Sequence, residues 1–437
     1  MTVDDSAPAI PARPAGLERD SAALAVSAAG TAALGLIYWV VVGRLYPAAE
    51  VGAAAAVITA ATMLSAFGNL GLGAYFERFL PVAGPARRRL ALTGLLVGAG
   101  GGLLLGSAFL LLGPVDEMFG STGEQLLFPL FVVVLSTFAL LDHLVIAMHR
   151  ARLAAVKNLS HALIKLLCAA AVAGLLGRIG ITGTWVLTAL LCGAVAGATA
   201  FRLLRAQPQP APADLPAPAE QLRFVTVNYG VYVVTALAPL ILPMLVIARV
   251  GADQNAYFAI VWSLVTAVTV LLTMLMGPYV AAVAATPERI RELSARFAGI
   301  LLGISVAAAA GLAAVGPLFL RLAGSDYAEH GGRLLQTAAL ALPAAAVALG
   351  FTALCRVRRR LWPALLVQLV SASLMLGLTA DWLDEHGLMA AAWALLVAEG
   401  TAAVLVAVPL WRAWRSFPAT ATTADGAGPR TGQSTSS

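Results

Sequence analysis

Ala147-Met-His-Arg150-Ala-Arg152 closes one long apolar run, and Ala353-Leu-Cys-Arg356-Val-Arg358 closes another 206 positions later. A second pair stands at nearly the same spacing: Val41-Val-Gly-Arg44-Leu45 recurs 205 positions on as Val246-Ile-Ala-Arg249-Val250. Short arginine motifs recur by chance between apolar runs. Two recurrences at almost one offset, at equivalent places in the pattern, mark an internal repeat. Six runs separate each motif from its copy, so the chain returns to the same side of a membrane before it repeats. The halves are therefore expected to be parallel and related by an axis along the membrane normal.

Working outward from these motifs, twelve apolar stretches of about 18–26 residues appear, each able to cross a hydrocarbon core of about 30 Å. They lie near 21–43, 51–73, 90–112, 127–148, 159–177, 183–203, 224–249, 256–279, 298–320, 334–354, 361–380 and 388–411. The composition agrees: 60% of residues are hydrophobic and only 11% charged, against roughly 25% charged in a soluble domain. The mean hydropathy is +0.87. The expected fold is an all-α integral membrane protein of about twelve transmembrane helices in two parallel six-helix repeats.

The basic residues orient it. With the N-terminus inside, 22 of the 28 Lys and Arg residues fall in cytoplasmic segments, and only Arg44, Arg178, Arg249, Arg321 and Arg333 fall outside. That asymmetry obeys the positive-inside rule and places both termini in the cytoplasm. The outer connections are acidic, as at Asp116, Glu117 and Glu124 or Asp381, Asp384 and Glu385. The pI of 9.5 is then a match to anionic membrane lipid, and no nucleic-acid partner is expected.

The one composition break is Gln207 to Glu220, where Pro208, Pro210, Pro212, Pro216 and Pro218 favour an extended spacer. It divides the chain into a disordered cytoplasmic tail (1–19), an N-terminal six-helix bundle (20–206), a proline-rich cytoplasmic linker (207–223), a C-terminal bundle (224–416) and a second disordered tail (417–437). No connection is long enough for a catalytic domain. There is no Walker A motif, no Gly-rich nucleotide loop after a strand and no His/Cys cluster at metal-ligand spacing. An enzyme is not expected, nor a cofactor or a metal.

Charged groups inside apolar spans cost about 2.5–3.5 kcal/mol at a helix centre and so point to function. Asp142 lies eight residues before Arg150, and Lys165 eight residues after Lys157. Counting inward from the loop at 1.5 Å per residue puts both at a depth of about 12 Å, where they are expected to pair, beside Asn158, His143 and His161. Such a pair either ties two helices together or lets Lys165 line a cavity that attracts phosphate. Glu399 falls near the centre of the last span, with Gln368, Ser371 and Ser373 at similar depth. It is either hydrogen-bonded between helices or a candidate coupling site for a proton or Na+. Arg78 ends the second span as an interfacial anchor or a cavity-mouth residue. Arg44 and Arg249 are the repeat-related outer pair. Span seven carries Asn228, Tyr229, Tyr232, Pro239 and Pro243, a bent helix suited to a water-filled cavity. Helices one, two, seven and eight are the expected moving walls.

The stretch Ile37-Tyr-Trp-Val-Val-Val-Gly-Arg44-Leu-Tyr-Pro47-Ala-Ala-Glu50-Val-Gly52 resembles the opening of the polysaccharide flippases in the multidrug/oligosaccharidyl-lipid/polysaccharide (MOP) exporter superfamily. So do Phe79-Leu80-Pro81 after Arg78, the segment from Leu141-Asp142 to Lys165, and Leu242-Pro243 to Phe258. The resemblance covers roughly residues 20–415 and rests on diffuse helix signatures. It implies a V-shaped, MATE-like transporter in a bacterial-type plasma membrane. Such a protein moves a polyprenyl-diphosphate-linked oligosaccharide to the outer leaflet by alternating access, for export of cell-surface polysaccharide or lipopolysaccharide. The cationic cavity residues implied are Arg44, Arg78, Lys165 and Arg249, and glycosyltransferases or a polymerase of the same pathway are the implied partners. One departure stands: Ala281-Ala-Val-Ala-Ala-Thr286 lacks the acidic residue that relatives often carry after helix eight, so no coupling role transfers there. A multidrug or metabolite antiporter and a non-transporting scaffold of a glycan-synthesis complex are the competing readings.

Overall fold

A computed structural model describes residues 15–206, 215–358 and 360–417. The tail residues 1–14 and 418–437, residues 207–214 of the proline-rich linker and Arg359 lie outside it. The N-terminal half holds α1 (Ala15–Leu45), α2 (Ala48–Gly68), α3 (Leu72–Phe79), α4 (Arg87–Leu112), α5 (Val115–Met118), α6 (Thr122–Ala147), α7 (Ala151–Ala171) and α8 (Gly177–Ala206). The C-terminal half holds α9 (Pro218–Met274), α10 (Met276–Ala285), α11 (Ile290–Ala323), α12 (Ser325–Ala339), α13 (Leu342–Val357), α14 (Trp362–His386) and α15 (Met389–Arg415). Helix begins at Ala15 and again at Pro218, so the ends of the expected tail and spacer are already helical.

All twelve sequence spans are occupied by helix, and the larger helix count has local causes. The second span breaks between α2 and α3, where Leu70 and Gly71 take positive φ of 49° and 74°. The tenth breaks between α12 and α13 with a 42° bend, next to Pro343, which has no N–H to donate into the preceding turn. Spans seven and eight form the single element α9, interrupted at Gly251 with φ 79° and ψ 177°. Only glycine adopts that backbone without steric cost, so the reversal between two helices is placed there. Among the described residues, nine helices meet the length and hydropathy needed for crossing, or ten with the bent pair. That count takes Ala238–Ala285, from within α9 to the end of α10, as one span, and in α1 it finds only a shorter apolar piece, Ala29–Leu45.

Burial identifies the centre of the molecule. The apolar window of α2 is 78% buried, whereas those of α4 and of α11 are 17% buried. Alanine-rich α2 is therefore surrounded by protein, and the leucine-rich outer faces of α4 and α11 are left for lipid. Where α2 crosses α4 the backbones nearly touch: a Cβ on Gly101 would lie 2.3 Å from the carbonyl oxygen of Gly68. Small residues permit this approach, the usual packing device where lipid supplies no hydrophobic drive between helices.

The seam between the halves runs along α2 and α9. At the end rich in acidic residues, the Asn255 amide donates to the carbonyl of Gly52 at 2.9 Å. Further along, the Tyr229 hydroxyl donates to the carbonyl of Phe67 at 3.0 Å. At the arginine-rich end, the Tyr75 hydroxyl donates to the Gln221 amide oxygen at 2.7 Å. The halves thus touch along the whole seam, and three of the four expected wall helices meet there. Ser27 near the start of α1 bonds to Ala155, and Ser416 after α15 bonds to Arg358, so both ends of the helical chain lie at the arginine-rich end.

Candidate functional site

The polar interior of the N-terminal half is built on one stripe of α7. Lys157, His161 and Lys165 recur every four residues, which aligns them on one helix face. All three are buried. They point at α6, α8 and α1.

Lys157 meets Asp142. Its Nζ lies 3.0 Å from the carboxylate, donates to the Phe138 carbonyl at 2.6 Å, and sits over the Phe138 ring. The second carboxylate oxygen of Asp142 accepts from the Asn158 amide at 2.9 Å. The expected Asp142–Lys165 pair is corrected: the partner is Lys157, which the sequence placed in the cytoplasmic loop. The turn explains this. Asp142 lies five residues before the end of α6 at Ala147, and Lys157 six residues after the start of α7 at Ala151. A tight connection through His149, φ 57°, makes those two positions face each other. Lys165 is two helical turns further on.

His161 Nε2–H donates to the Trp185 carbonyl at 3.2 Å, and its ring lies against Phe138. Lys165 has aromatic company instead of a carboxylate. Its Nζ sits 3.2 Å from the centroid of the Trp185 ring and 5.1 Å from that of Tyr38. Tyr38 and Trp185 pack edge to face with each other, and Trp39 adjoins both. The faces of the rings stabilise the ammonium through their quadrupoles. Among the described residues no acidic group lies within ion-pair distance of it, so this interior holds two lysines and one aspartate.

The remaining expected site residues are dispersed. Arg44 is exposed at the end of α1 and lines a cavity of about 560 Å³ with Arg321, Ser325 and Glu329 from the other half. Its repeat partner Arg249 is bound to Asp384 at 2.8 Å, an exposed pair joining α9 to α14. Arg78 is exposed beside the seam, its guanidinium 5.6 Å from the Phe224 ring of α9. Asn228 donates to the Phe224 carbonyl one turn back in its own helix. Glu399 is half-buried and accepts from the Ser371 hydroxyl at 3.2 Å, a bond between α14 and α15. Lys157, Tyr38 and Trp185 are the site members the sequence reading missed. The four-residue spacing of Lys157, His161 and Lys165 was the available signal. Among the described residues no group of His, Cys, Asp and Glu is arranged to hold a metal ion.

The sequence matches no protein-family profile and no curated protein. The fold does match solved structures. A multidrug resistance MATE family transporter of the MOP superfamily in an inward-facing conformation aligns with a TM-score of 0.68 at 14% identity, covering 89% of this chain and 95% of that one. The lipid II flippase MurJ in an inward closed conformation aligns at 0.66 and 11% identity, covering 89% and 87%. An outward-facing MATE transporter aligns less well, at 0.55 and 14% identity, covering 93% and 96%. The chain is a multi-pass membrane protein with the fold shared by MATE transporters and MurJ.

Proposed function

We propose that this protein is an alternating-access transporter that flips a polyprenyl-diphosphate-linked oligosaccharide from the inner to the outer leaflet. The arginine-rich end is cytoplasmic in this reading, as the positive-inside rule requires. The observation that carries the proposal is Lys165, a buried amine without a carboxylate partner. Asp142 is occupied by Lys157 and Asn158, so the buried N-terminal interior has one basic group more than it has carboxylates. A low-dielectric site with excess cation favours an anionic cargo such as a diphosphate and opposes a cationic drug. Arg44 in its cavity and Arg78 beside the seam extend the same preference towards the two ends. The likeness of fold to a lipid II flippase supports a lipid-linked cargo. Glycosyltransferases or a polymerase of the same pathway are the partners this activity calls for.

The test is translocation of a fluorescent polyprenyl-diphosphate sugar in proteoliposomes, comparing the natural chain with Lys165→Ala and Arg44→Ala. Protein-dependent flipping weakened by the substitutions supports the reading. Absence of flipping by folded protein that instead exchanges a cationic drug for protons or Na+ overturns it. That second outcome is the MATE-like antiporter, and the observation favouring it is the Glu399 carboxylate on α15, held by Ser371. Flipping unaffected by either substitution removes these residues from the site, and no transport of any kind leaves a scaffold.

A further inference from the structure

At the arginine-rich end of the C-terminal half, α11 and α15 both pack on α13, and between them lies a cavity of about 380 Å³. Its floor is Ala346 and Gly350 of α13, and its walls are Phe297 and Leu301 of α11 and Trp411 and Trp414 of α15. The lining is apolar except for Tyr279 and Ser294, whose hydroxyls are 2.8 Å apart and satisfy each other. Ser294 to Leu301 spans about 10 Å along the helix axis, so the cavity is long as well as apolar.

Its rim is cationic. The Arg291 guanidinium stands 5.5 Å from the Trp414 ring, and that of Arg415 stands 3.8 Å from the Trp411 ring. Among the described residues neither has a carboxylate within ion-pair distance. Arg358 also borders the rim, but donates to the Ser416 hydroxyl at 2.9 Å and so pins the end of α15 to α13. Residues 418–437, which follow directly, contain no Leu, Ile, Val, Met or aromatic side chain.

We infer that this cavity is a binding site for an anionic phospholipid, one acyl chain lying between α11 and α15 and the phosphate held by Arg291 and Arg415. The geometry answers both parts of such a molecule. Phe297 and Leu301 receive the chain, and two guanidinium groups braced on tryptophan faces meet the headgroup at the mouth of the slot. A cationic amphiphile would fit the slot and be repelled at the rim. The site lies away from the seam and from Lys165, so the inference stands independently of the transport reading.

The experiment is native mass spectrometry of the full chain in detergent, titrated with phosphatidylglycerol or with phosphatidylcholine of the same chains. Phosphatidylglycerol is expected to be retained selectively. Arg291→Gln and Arg415→Gln should each weaken retention about fivefold, corresponding to loss of one surface guanidinium. Gly350→Phe, which fills the slot and leaves the rim, should abolish it. Both arginines are peripheral, so those variants test the proposal even if the filled variant fails to fold. Equal retention of the two lipids overturns the inference. So does unchanged phosphatidylglycerol binding in the arginine variants, or in a folded Gly350→Phe variant.

Discussion

The side-chain amide of Asn255 donates to the backbone carbonyl of Gly52 at 2.9 Å, joining α9 to α2 across the boundary of the two halves. Asn255 is 2% exposed. This bond lies at the end away from the arginines, which has to part if the protein works by the alternating access proposed above. Asn255→Ala removes the donor and weakens the closed seam by about 1 kcal/mol, the net worth of one such bond. Distances between spin labels at Pro47 and Asp253 should gain a longer population in the variant. An unchanged distribution would mean the seam is held elsewhere.

The ion pair of Lys157 and Asp142 should behave as a buried one. The Lys157 side chain is 1% exposed and that of Asp142 24% exposed. Lys157→Met leaves the carboxylate without its counter-charge and is expected to cost about 3–5 kcal/mol. Adding Asp142→Asn to Lys157→Met should recover most of that loss. Unfolding midpoints of both singles and the double variant in one detergent give the coupling. Additive losses would show that the two groups do not depend on each other.

Arg249 and Asp384 provide the contrast. They are closer, at 2.8 Å, but their side chains are 42% and 66% exposed. Solvent screening limits such a pair to about 0–1 kcal/mol. Arg249→Ala should therefore leave the unfolding midpoint nearly unchanged, and a large loss would reveal a contact other than Asp384.

Lys165 should separate transport from stability. Lys165→Met removes a buried cation that no carboxylate balances, so relief of its desolvation offsets the missing attraction to the Trp185 and Tyr38 rings. Stability should hold or rise while flipping falls at least about tenfold, and Lys165→Arg should retain part of the flipping. A variant that flips normally, or one that unfolds, would assign Lys165 to structure.

The crossing of α2 and α4 gives a prediction on packing. Gly101 has no room for a Cβ against Gly68, whereas its neighbour Gly100 has nothing within 4 Å. Gly101→Val should destabilise by about 1–3 kcal/mol through overpacking. Gly100→Ala should be neutral or slightly favourable, since alanine is the better helix former. Equal effects from the two would rule out the close crossing.

Most of the fold was legible because its signals are local. A run of some twenty apolar residues must be helical in lipid, where each backbone amide and carbonyl needs a partner within its own segment. The site was legible only in part. Lys165 and Asp142 stand out from the cost of burying charge, but their partners do not, because equal distances from the connecting loop do not fix which residues of α6 and α7 face each other. The tight turn at His149 fixes the register between those helices, and that is a matter of backbone geometry. Tyr38 and Trp185 gave no sign of being a cage, since α1 and α8 are far from each other in sequence and meet only around α7.

What the sequence determined on its own was the membrane, the twelve helical segments, the repeat and the asymmetry of its basic residues. Each follows from hydropathy and charge summed along the chain, and none depends on which helix lies beside which. The tertiary structure decided which charges cancel, that α2 occupies the centre, that α9 and α2 form the seam, and that α11 and α15 leave an aromatic slot. Those outcomes depend on helix rotation and register, which are set by close packing between residues remote in sequence.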